Sequence, residues 1–246
     1  MKIRLSPYLA AAAAVAVVSC AKQPAGPEFG IAATDTLIHR NGISCKVEYR
    51  FASILNAADS PALTAIEQAN LGYFFGLEAF SGTVREAAAT AVEQIADIYL
   101  ADSLPAGCGN TEYEISAESE GAVVDTLVTY TVTTSSYTGG AHGMYSRENY
   151  VYSLEGGYEI TLYDLFTAAQ QENLDRLIRR KLYGQYGVLD DEGLAAAGFF
   201  PEYIASTDNF RVTPEGIVFS YNPYEIAYYG LGCIEVEVTR EELAGL

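Results

Sequence analysis

The segment between residues 122 and 154 constrains the fold more than any other part of the chain. It contains two stretches rich in Val, Thr and Tyr, AVVDTLVTYTVTTSSY (122–137) and SRENYVYSL (146–154), and both compositions are typical of β-strands. Between them lies TGGAHGMY, which contains Gly139, Gly140 and Gly143. Because glycine adopts positive φ at little steric cost, the pattern predicts a β-hairpin with positive φ at Gly139 and Gly140.

The same hairpin has a functional interpretation that is compatible with the structural one. Absent side chains at the glycines let a partner approach the backbone, and tyrosine combines a large apolar area with a hydroxyl group. A second tyrosine-dense stretch, YNPYEIAYYG (221–230), occurs late in the chain. The candidate binding surface predicted from these patterns consists of Tyr137, Gly139, Gly140, His142, Tyr145, Tyr221 and Tyr224.

Alternation of apolar and polar residues predicts further strands, and N-cap residues predict the helix starts. The additional strands are expected at residues 42–51, 111–119, 209–213, 217–222 and 233–238. One helix should begin at Ser60, where the N-cap serine is followed by Pro61 at the first helical position. Three more should begin at the capping boxes Thr83–Glu86, Thr167–Gln170 and Thr239–Glu242.

This order of elements favours an α+β fold of antiparallel sheets with packed helices. A helix-rich first half and a hairpin-rich second half meet near residues 105–122. We therefore predict two subdomains, an N-terminal α+β unit at residues 34–120 and a C-terminal α+β unit at residues 121–246.

The first twenty residues have the features of an export signal. Lys2 and Arg4 precede an uncharged apolar run, Leu9–Val18, which is shorter than the about 20 residues that a membrane-spanning helix needs. The ending VVSC resembles a bacterial lipobox, so residues 1–20 are predicted to be a lipoprotein signal peptide with lipid attached to Cys20. The alternative is an ordinary secretory signal with a chance cysteine. Residues 21–33, which contain two prolines, are predicted to be a flexible tether.

The chain is strongly acidic. Removing Lys2 and Arg4 with the signal segment takes the formal net charge from −18 to −20. Phosphates would be repelled over most of such a surface, which argues against nucleic acid as a partner. The charge suits solubility, and it would also speed encounters with a strongly basic protein.

Three cysteines remain after Cys20, so at most one intramolecular disulfide can form. Cys45 and Cys108 each lie near a predicted strand and are the preferred pair, which an exported location permits. Cys233 is expected to be a small buried thiol.

The sequence offers few groups for catalysis. Its only histidines are His39 and His142, which are too few and too isolated for the usual zinc sites, and there is no GxSxG motif for a serine hydrolase. We therefore expect no metal, no cofactor and no enzymatic activity. A pair of carboxylates acting as acid and base stays open as an alternative, because such pairs are defined by geometry and the chain has 32 acidic residues.

Several motifs resemble a bacterial exported family. These are YTGGAHG, the segment NYVYSLEGGYEITLYDLF and the tract FRVTPEGIVFSYNPYEIAYYGLGCIEVEV. The family is shared with the extracellular domain of the lysozyme-responsive anti-sigma factor RsiV and with the non-catalytic domain of certain peptidoglycan deacetylases. The resemblance spans residues 42–243 and is most specific in the second half. The matching residues are Tyr137, Gly139–Gly143, Ile160, Leu162, Asp164–Phe166, Tyr221–Ala227 and Gly232.

The resemblance implies a C-terminal unit similar to a small subdomain of the actin-like ATPase fold, without nucleotide chemistry. It also implies a lipoprotein of the Bacteroidetes type, anchored to the outer membrane on its periplasmic or surface face. No sigma-binding segment or deacetylase domain is expected. The function that follows is a non-enzymatic envelope module that binds a lysozyme-like protein or a peptidoglycan-related ligand. The alternatives are a hydrolase acting on peptidoglycan or glycans, and a purely structural envelope protein.

Overall fold

The computed structural model describes residues 26–101 and 111–246. The predicted signal peptide with Cys20, and Cys108, lie outside the described residues. The strands are β1 (Phe29–Arg40), β2 (Ile43–Ile54), β3 (Thr111–Val124), β4 (Leu127–Tyr137), β5 (Met144–Ser153), β6 (Phe210–Val212), β7 (Gly216–Tyr221) and β8 (Ile234–Thr239). The α-helices are α1 (Pro61–Phe75), α2 (Val84–Tyr99), α3 (Leu162–Leu165), α4 (Ala168–Tyr186), α5 (Asp191–Ala196) and α6 (Arg240–Ala244). The α+β prediction is confirmed.

The strands form two open sheets. The larger has the order β1-β2-β3-β4-β5, and the smaller has the order β6-β7-β8. All neighbouring strands are antiparallel except β2 and β3, which are parallel. A parallel pair requires a long crossover, and here α1 and α2 lie in that connection. The prediction that the sheets are antiparallel is therefore wrong for the β2–β3 pair.

The tether prediction is wrong for residues 29–33, which begin β1. This strand pairs along its whole length with β2 through a tight turn at Asn41 and Gly42. The turn has φ of 54° at Asn41 and 82° at Gly42, the signs that a type I′ hairpin turn needs. The strand lies at an edge of the sheet, where half-buried and exposed residues alternate. Apolar and polar residues occur on both of its faces, since Ile31 and Leu37 are exposed and Thr34 is half-buried, so the alternation expected of a strand is absent from its sequence.

Local capping determines where the helices begin. The Ser60 hydroxyl accepts a hydrogen bond from the Ala62 amide at 3.2 Å, and Pro61 occupies the first turn of α1. All three predicted capping boxes, Thr83–Glu86, Thr167–Gln170 and Thr239–Glu242, are formed. Each box satisfies amides that have no partner within the helix, so the helix starts follow from short sequence patterns.

Two hydrophobic cores lie on opposite faces of the large sheet. In the first, α1 and α2 pack over β2 to β4, with buried side chains that include Phe51, Leu63 and Tyr130. In the second, α4 packs on the small sheet, and its side chains Leu174, Ile178 and Leu182 are fully buried.

The small sheet rests on the β4–β5 end of the large sheet. Val151 of β5 belongs to the second core, whereas its neighbour Tyr152 belongs to the first. The subdomain boundary expected at 120/121 lies inside β3, and β3 to β5 are all part of the large sheet. The change from one core to the other occurs at β5.

Candidate functional site

The glycine-rich segment is the turn between β4 and β5, as predicted. Tyr137 ends β4 and Met144 begins β5, and φ is 94° at Gly139 and 93° at Gly140. At Gly143 a Cβ atom would lie 2.6 Å from the Ser136 carbonyl oxygen, so that position also requires glycine. The backbone geometry of the turn is therefore sufficient to explain why these positions are glycine.

An aromatic cluster forms where this hairpin meets the loop before β8. The Tyr229 ring stacks on His142 at a centroid distance of 4.2 Å, with an angle of 27° between the ring planes. Tyr145 and Tyr224 each lie 5.7 Å from the same ring, and the Tyr145 contact is edge-to-face at 67°. The Tyr229 hydroxyl donates a 2.8 Å hydrogen bond to the Gly143 carbonyl. We call His142, Tyr145, Tyr224 and Tyr229 the tyrosine face.

The loop that contributes Tyr224 and Tyr229 is held in an unusual backbone conformation. Tyr224 has φ of 73°, an uncommon value for a residue with a side chain, and its amide donates to the Ala227 carbonyl at 3.0 Å. Its ring is 52% exposed. Gly232 has φ of 75°, and a Cβ there would lie 3.1 Å from the Tyr145 hydroxyl. The loop thus presents one tyrosine to solvent and leaves room for another.

Asn222 connects the loop to the hairpin strand. This residue is 8% exposed, and its side-chain oxygen accepts from the Arg147 amide at 2.7 Å. Its side-chain nitrogen donates to Glu148 at 2.7 Å, and its backbone amide donates to Glu225 at 2.8 Å. Burial, followed by the charge of Glu225, raises the pKa of Glu148. Carboxylates therefore lie beside the tyrosine face, and Asn222 positions them.

An ion-pair network lies behind this loop. Glu235 of β8 bonds Arg211 of β6, with 3.1 Å between Nη2 and Oε2, and Arg147 of β5, with 3.0 Å between Nη1 and Oε1. The hydrogen bond from Arg211 lowers the pKa of Glu235 most, and the one from Arg147 lowers it further. The network joins the two sheets next to the tyrosine face.

The predicted surface residues take three different positions. His142, Tyr145 and Tyr224 meet at the tyrosine face, whereas Gly139 and Gly140 shape the turn. Tyr137 is 39% exposed, and its hydroxyl donates back to the Gly140 carbonyl at 3.2 Å, within the hairpin.

The assignment of Tyr221 to the binding surface is wrong, because the residue is buried. It is 2% exposed, and its hydroxyl donates to the Ala205 carbonyl at 2.7 Å. Its position in β7 puts the ring into the second core, where burial raises the pKa of the phenol. The tyrosine at the centre of the face, Tyr229, was missing from the predicted set. The tyrosine-dense stretch marked its loop, but no spacing distinguished this ring from its neighbours.

The imidazole of His142 is used in packing. Its Nδ1 lies 2.8 Å from the Gly143 carbonyl and its ring covers Tyr229. Within residues 26–101 and 111–246, no group of three or more His, Cys, Asp or Glu side chains is arranged to hold a metal ion. In the same ranges no helix is long and apolar enough to cross a membrane.

The two cysteines in the described ranges differ in burial, and Cys233, expected to be a buried thiol, is only partly so. Cys45 of β2 is 0% exposed and Cys233 is half-buried. Burial is the largest cause of the raised pKa at both thiols, which disfavours the reactive thiolate. Because Cys108 is outside the described residues, the Cys45–Cys108 disulfide stays a prediction.

Comparisons with known proteins identify a domain type and a fold. Residues 163–241 match the sequence model of a family described as "Protein of unknown function (DUF3298)". The fold is similar to the crystal structure of a DUF3298 family member from Bacteroides fragilis, with a TM-score of 0.81 and 23% identity over 92% of this chain and 95% of that chain. It is also similar to a DUF3298 family protein from Pseudomonas aeruginosa, with a TM-score of 0.62 and 18% identity over 90% of this chain and 94% of that chain. No curated protein matches the chain. At these identities the likeness extends to the fold alone.

Proposed function

We propose that the chain is a non-enzymatic, lipid-anchored binding module of the cell envelope, and that the tyrosine face takes a basic protein of the lysozyme type. The observation that carries the proposal is the packing of three aromatic side chains around the Tyr229 ring, one of which, Tyr224, is 52% exposed. Rigid aromatic rings contribute most to binding when they are positioned before the partner arrives.

Charge supports a basic partner. The chain has a formal net charge of −18, and Glu148 and Glu225 stand next to the tyrosine face. Opposite charge raises the rate of encounter, and the attraction weakens as salt screens it over about 10 Å at 0.1 M. Binding to a lysozyme-type protein should therefore weaken from low to moderate salt, mainly through slower association.

The test is a calorimetric titration of lysozyme into the purified protein at low and at moderate salt. Tyr224→Ala should weaken binding at least tenfold, because its exposed ring is available for contact. The matched control is Tyr203→Ala, since Tyr203 is 66% exposed and belongs to a different segment. Absence of heat at both salt concentrations would remove lysozyme as a partner. Binding of peptidoglycan fragments instead would reassign the face to a glycan.

A hydrolase acting on peptidoglycan or glycans is the alternative function. The His142 imidazole is bonded to Gly143 in the hairpin and stacked on Tyr229 of the loop before β8, a packing role that does not favour it as a general base. Turnover of peptidoglycan by the purified protein that is lost in His142→Ala would favour the enzyme. A purely structural envelope protein would bind none of these ligands.

The anchor has a separate test. Mass spectrometry of the protein from its native membrane should find acylated Cys20 as the first residue. An intact segment from Met1 to Cys20 would overturn the lipid anchor without affecting the binding proposal.

A further inference from the structure

Basic residues are concentrated on one helix of this acidic chain. Of the eleven Lys and Arg residues in the described ranges, four lie in six consecutive positions of α4: Arg176, Arg179, Arg180 and Lys181. The rest of the surface is dominated by the 32 acidic residues of the sequence. This part of α4 is therefore a positive island, well away in sequence from the tyrosine face.

The island borders a cleft of about 550 Å³ between α4 and the segment at α6. Most of the polar side chains that line it carry a hydrogen-bond donor. They are Arg176, Arg179, Arg180, Asn173 and Tyr183. Leu177 adds an apolar patch to the wall. We call this the arginine cleft.

The acidic side chain that borders the arginine cleft already has partners. Glu242 is paired with Lys181 at 2.8 Å, and the same carboxylate accepts hydrogen bonds from the backbone amide and the hydroxyl of Thr239. Its charge is thus compensated within the protein, and Glu242 is the one acidic side chain among the described residues that line the cleft.

One of the three arginines is fixed by the fold. Arg179 donates to Asp191 at 2.7 Å and to the carbonyls of Pro201 and Ile204 at 3.0 and 3.2 Å. The carboxylate of Asp175, four residues earlier on α4, accepts from Ser206 instead of pairing with Arg179. Arg179 therefore stabilises the wall of the cleft and has little capacity left for a ligand.

The other two arginines are free to bind. Arg176 contacts only the neutral side chain of Asn173, at 2.5 Å, and within the described ranges neither Arg176 nor Arg180 forms an ion pair. They are four positions apart on the same face of α4, where like charges destabilise a helix. No ion pair in the described structure offsets this repulsion, whereas a bound anion would.

We propose that the arginine cleft binds a compact oxyanion, a phosphate monoester or a carboxylate, between Arg176 and Arg180. A guanidinium group donates two parallel hydrogen bonds to either anion, and Leu177 would contact the uncharged group that carries it. The acidic surroundings favour a small anion over a polyanion, because an extended chain of charges would reach the repulsive surface.

The experiment is a titration of isotopically labelled full-length protein followed by NMR, with inorganic phosphate and acetate as the two probes at constant ionic strength. Saturable shifts of the Arg176 and Arg180 side-chain signals are expected for at least one probe, with a Kd on the order of 1 mM. Tighter binding of phosphate would indicate a phosphate monoester, and tighter binding of acetate a carboxylate.

The decisive variant is Arg176→Gln/Arg180→Gln, which should weaken binding at least tenfold while leaving the circular dichroism spectrum unchanged. Arg85→Gln is the matched control, because Arg85 is an exposed arginine of α2 that also lacks an ion pair in the described structure. Three outcomes would each overturn the proposal. They are shifts of the Arg85 side-chain signals as large as those of Arg176 and Arg180, binding that survives in the double variant, and no binding of either probe.

Discussion

Asn70 and Asn149 are both buried, but their surroundings differ in the partners that they offer. Asn70, on α1 in the first core, is 0% exposed, and neither polar atom of its side chain has a hydrogen-bond partner in the described structure. Asn149, on β5 between the two sheets, is 3% exposed. Its side-chain nitrogen donates to Asn209 at 2.7 Å and Ser220 at 3.1 Å, and its oxygen accepts from Thr131 at 2.8 Å.

The difference separates two kinds of buried polar group. At the junction of the sheets, hydrogen bonds with three strand or strand-end residues converge on one amide, so the arrangement specifies how the small sheet sits on the large one. Below α1 the polar atoms of Asn70 and the Tyr152 hydroxyl have no partners, and burial there opposes stability. The same substitution at the two asparagines should therefore have opposite effects.

Asn149→Leu should have the largest effect. It leaves the buried hydroxyls of Ser220 and Thr131 without their partner, while the Asn209 side-chain oxygen keeps only the Asn149 backbone amide as a donor. We expect a loss of about 3 kcal/mol in the free energy of unfolding. Urea denaturation of variant and wild type measures this difference. A loss below about 1 kcal/mol would mean that the network does not specify the junction.

Asn70→Leu should raise the free energy of unfolding by about 1–2 kcal/mol, because leucine fills a similar volume without the desolvated amide. The same urea experiment applies, and Asn149→Leu is its control because the substitution is identical. A clear loss of stability would indicate that an ordered water satisfies Asn70, and the contrast between the two sites would disappear.

Thr131→Val tests one bond of the junction. It removes the donor to Asn149 and keeps the shape of the side chain, so a loss of about 1 kcal/mol is expected on thermal or urea unfolding. Thr133→Val is the control, because Thr133 lies two residues farther along β4 and is exposed. Equal effects at the two threonines would contradict a role for the hydrogen bond.

Glu67→Gln should have the smallest effect and a distinctive pH dependence. Burial raises the pKa of Glu67, although Ser53 and the Ile54 amide donate to its carboxylate at 2.6 and 2.8 Å. A raised pKa means that the folded state favours the protonated acid. Its contribution to stability is therefore present below the ordinary pKa of 4.5 and is lost as the pH rises through the raised value.

The glutamine variant keeps an acceptor for Ile54 and a donor for Ser53 but does not titrate. Its stability relative to wild type should therefore increase from about pH 4 to about pH 7 in urea denaturation. Glu93→Gln, at an exposed position of α2, controls for the loss of one negative charge. A difference that does not change with pH would show that the folded state does not favour the protonated form of Glu67.

The sequence predicted the elements whose causes are local. The capping boxes, the β4–β5 turn and the β6–β7 hairpin each depend on a few neighbouring residues, and all are present. The first hairpin was missed although Asn41–Gly42 is its local signal, because the prolines before residue 29 suggested a tether. The parallel pairing of β2 with β3 has no local signal, since it is set by how α1 and α2 pack.

The candidate site was predicted only in part, because local patterns are visible in the sequence and contacts between distant segments are not. Glycines marked the hairpin and tyrosines marked the loop, so His142, Tyr145 and Tyr224 were identified from the sequence. Tyr229 became the centre because two segments more than eighty residues apart meet there, as its hydrogen bond to Gly143 records. Asn149 and its hydrogen-bond partners also come from segments distant in sequence, and no spacing along the chain predicts their contact.

The alternation of β5 between the two cores has a consequence for how the protein unfolds. Tyr152 and Val151 are adjacent, yet one packs in the first core and the other in the second. Fraying of this strand would open both cores together, so we expect one cooperative transition in calorimetry instead of two. For the same reason a chain divided at residue 120 would leave each fragment with an unfinished core, and neither half should fold independently of the other.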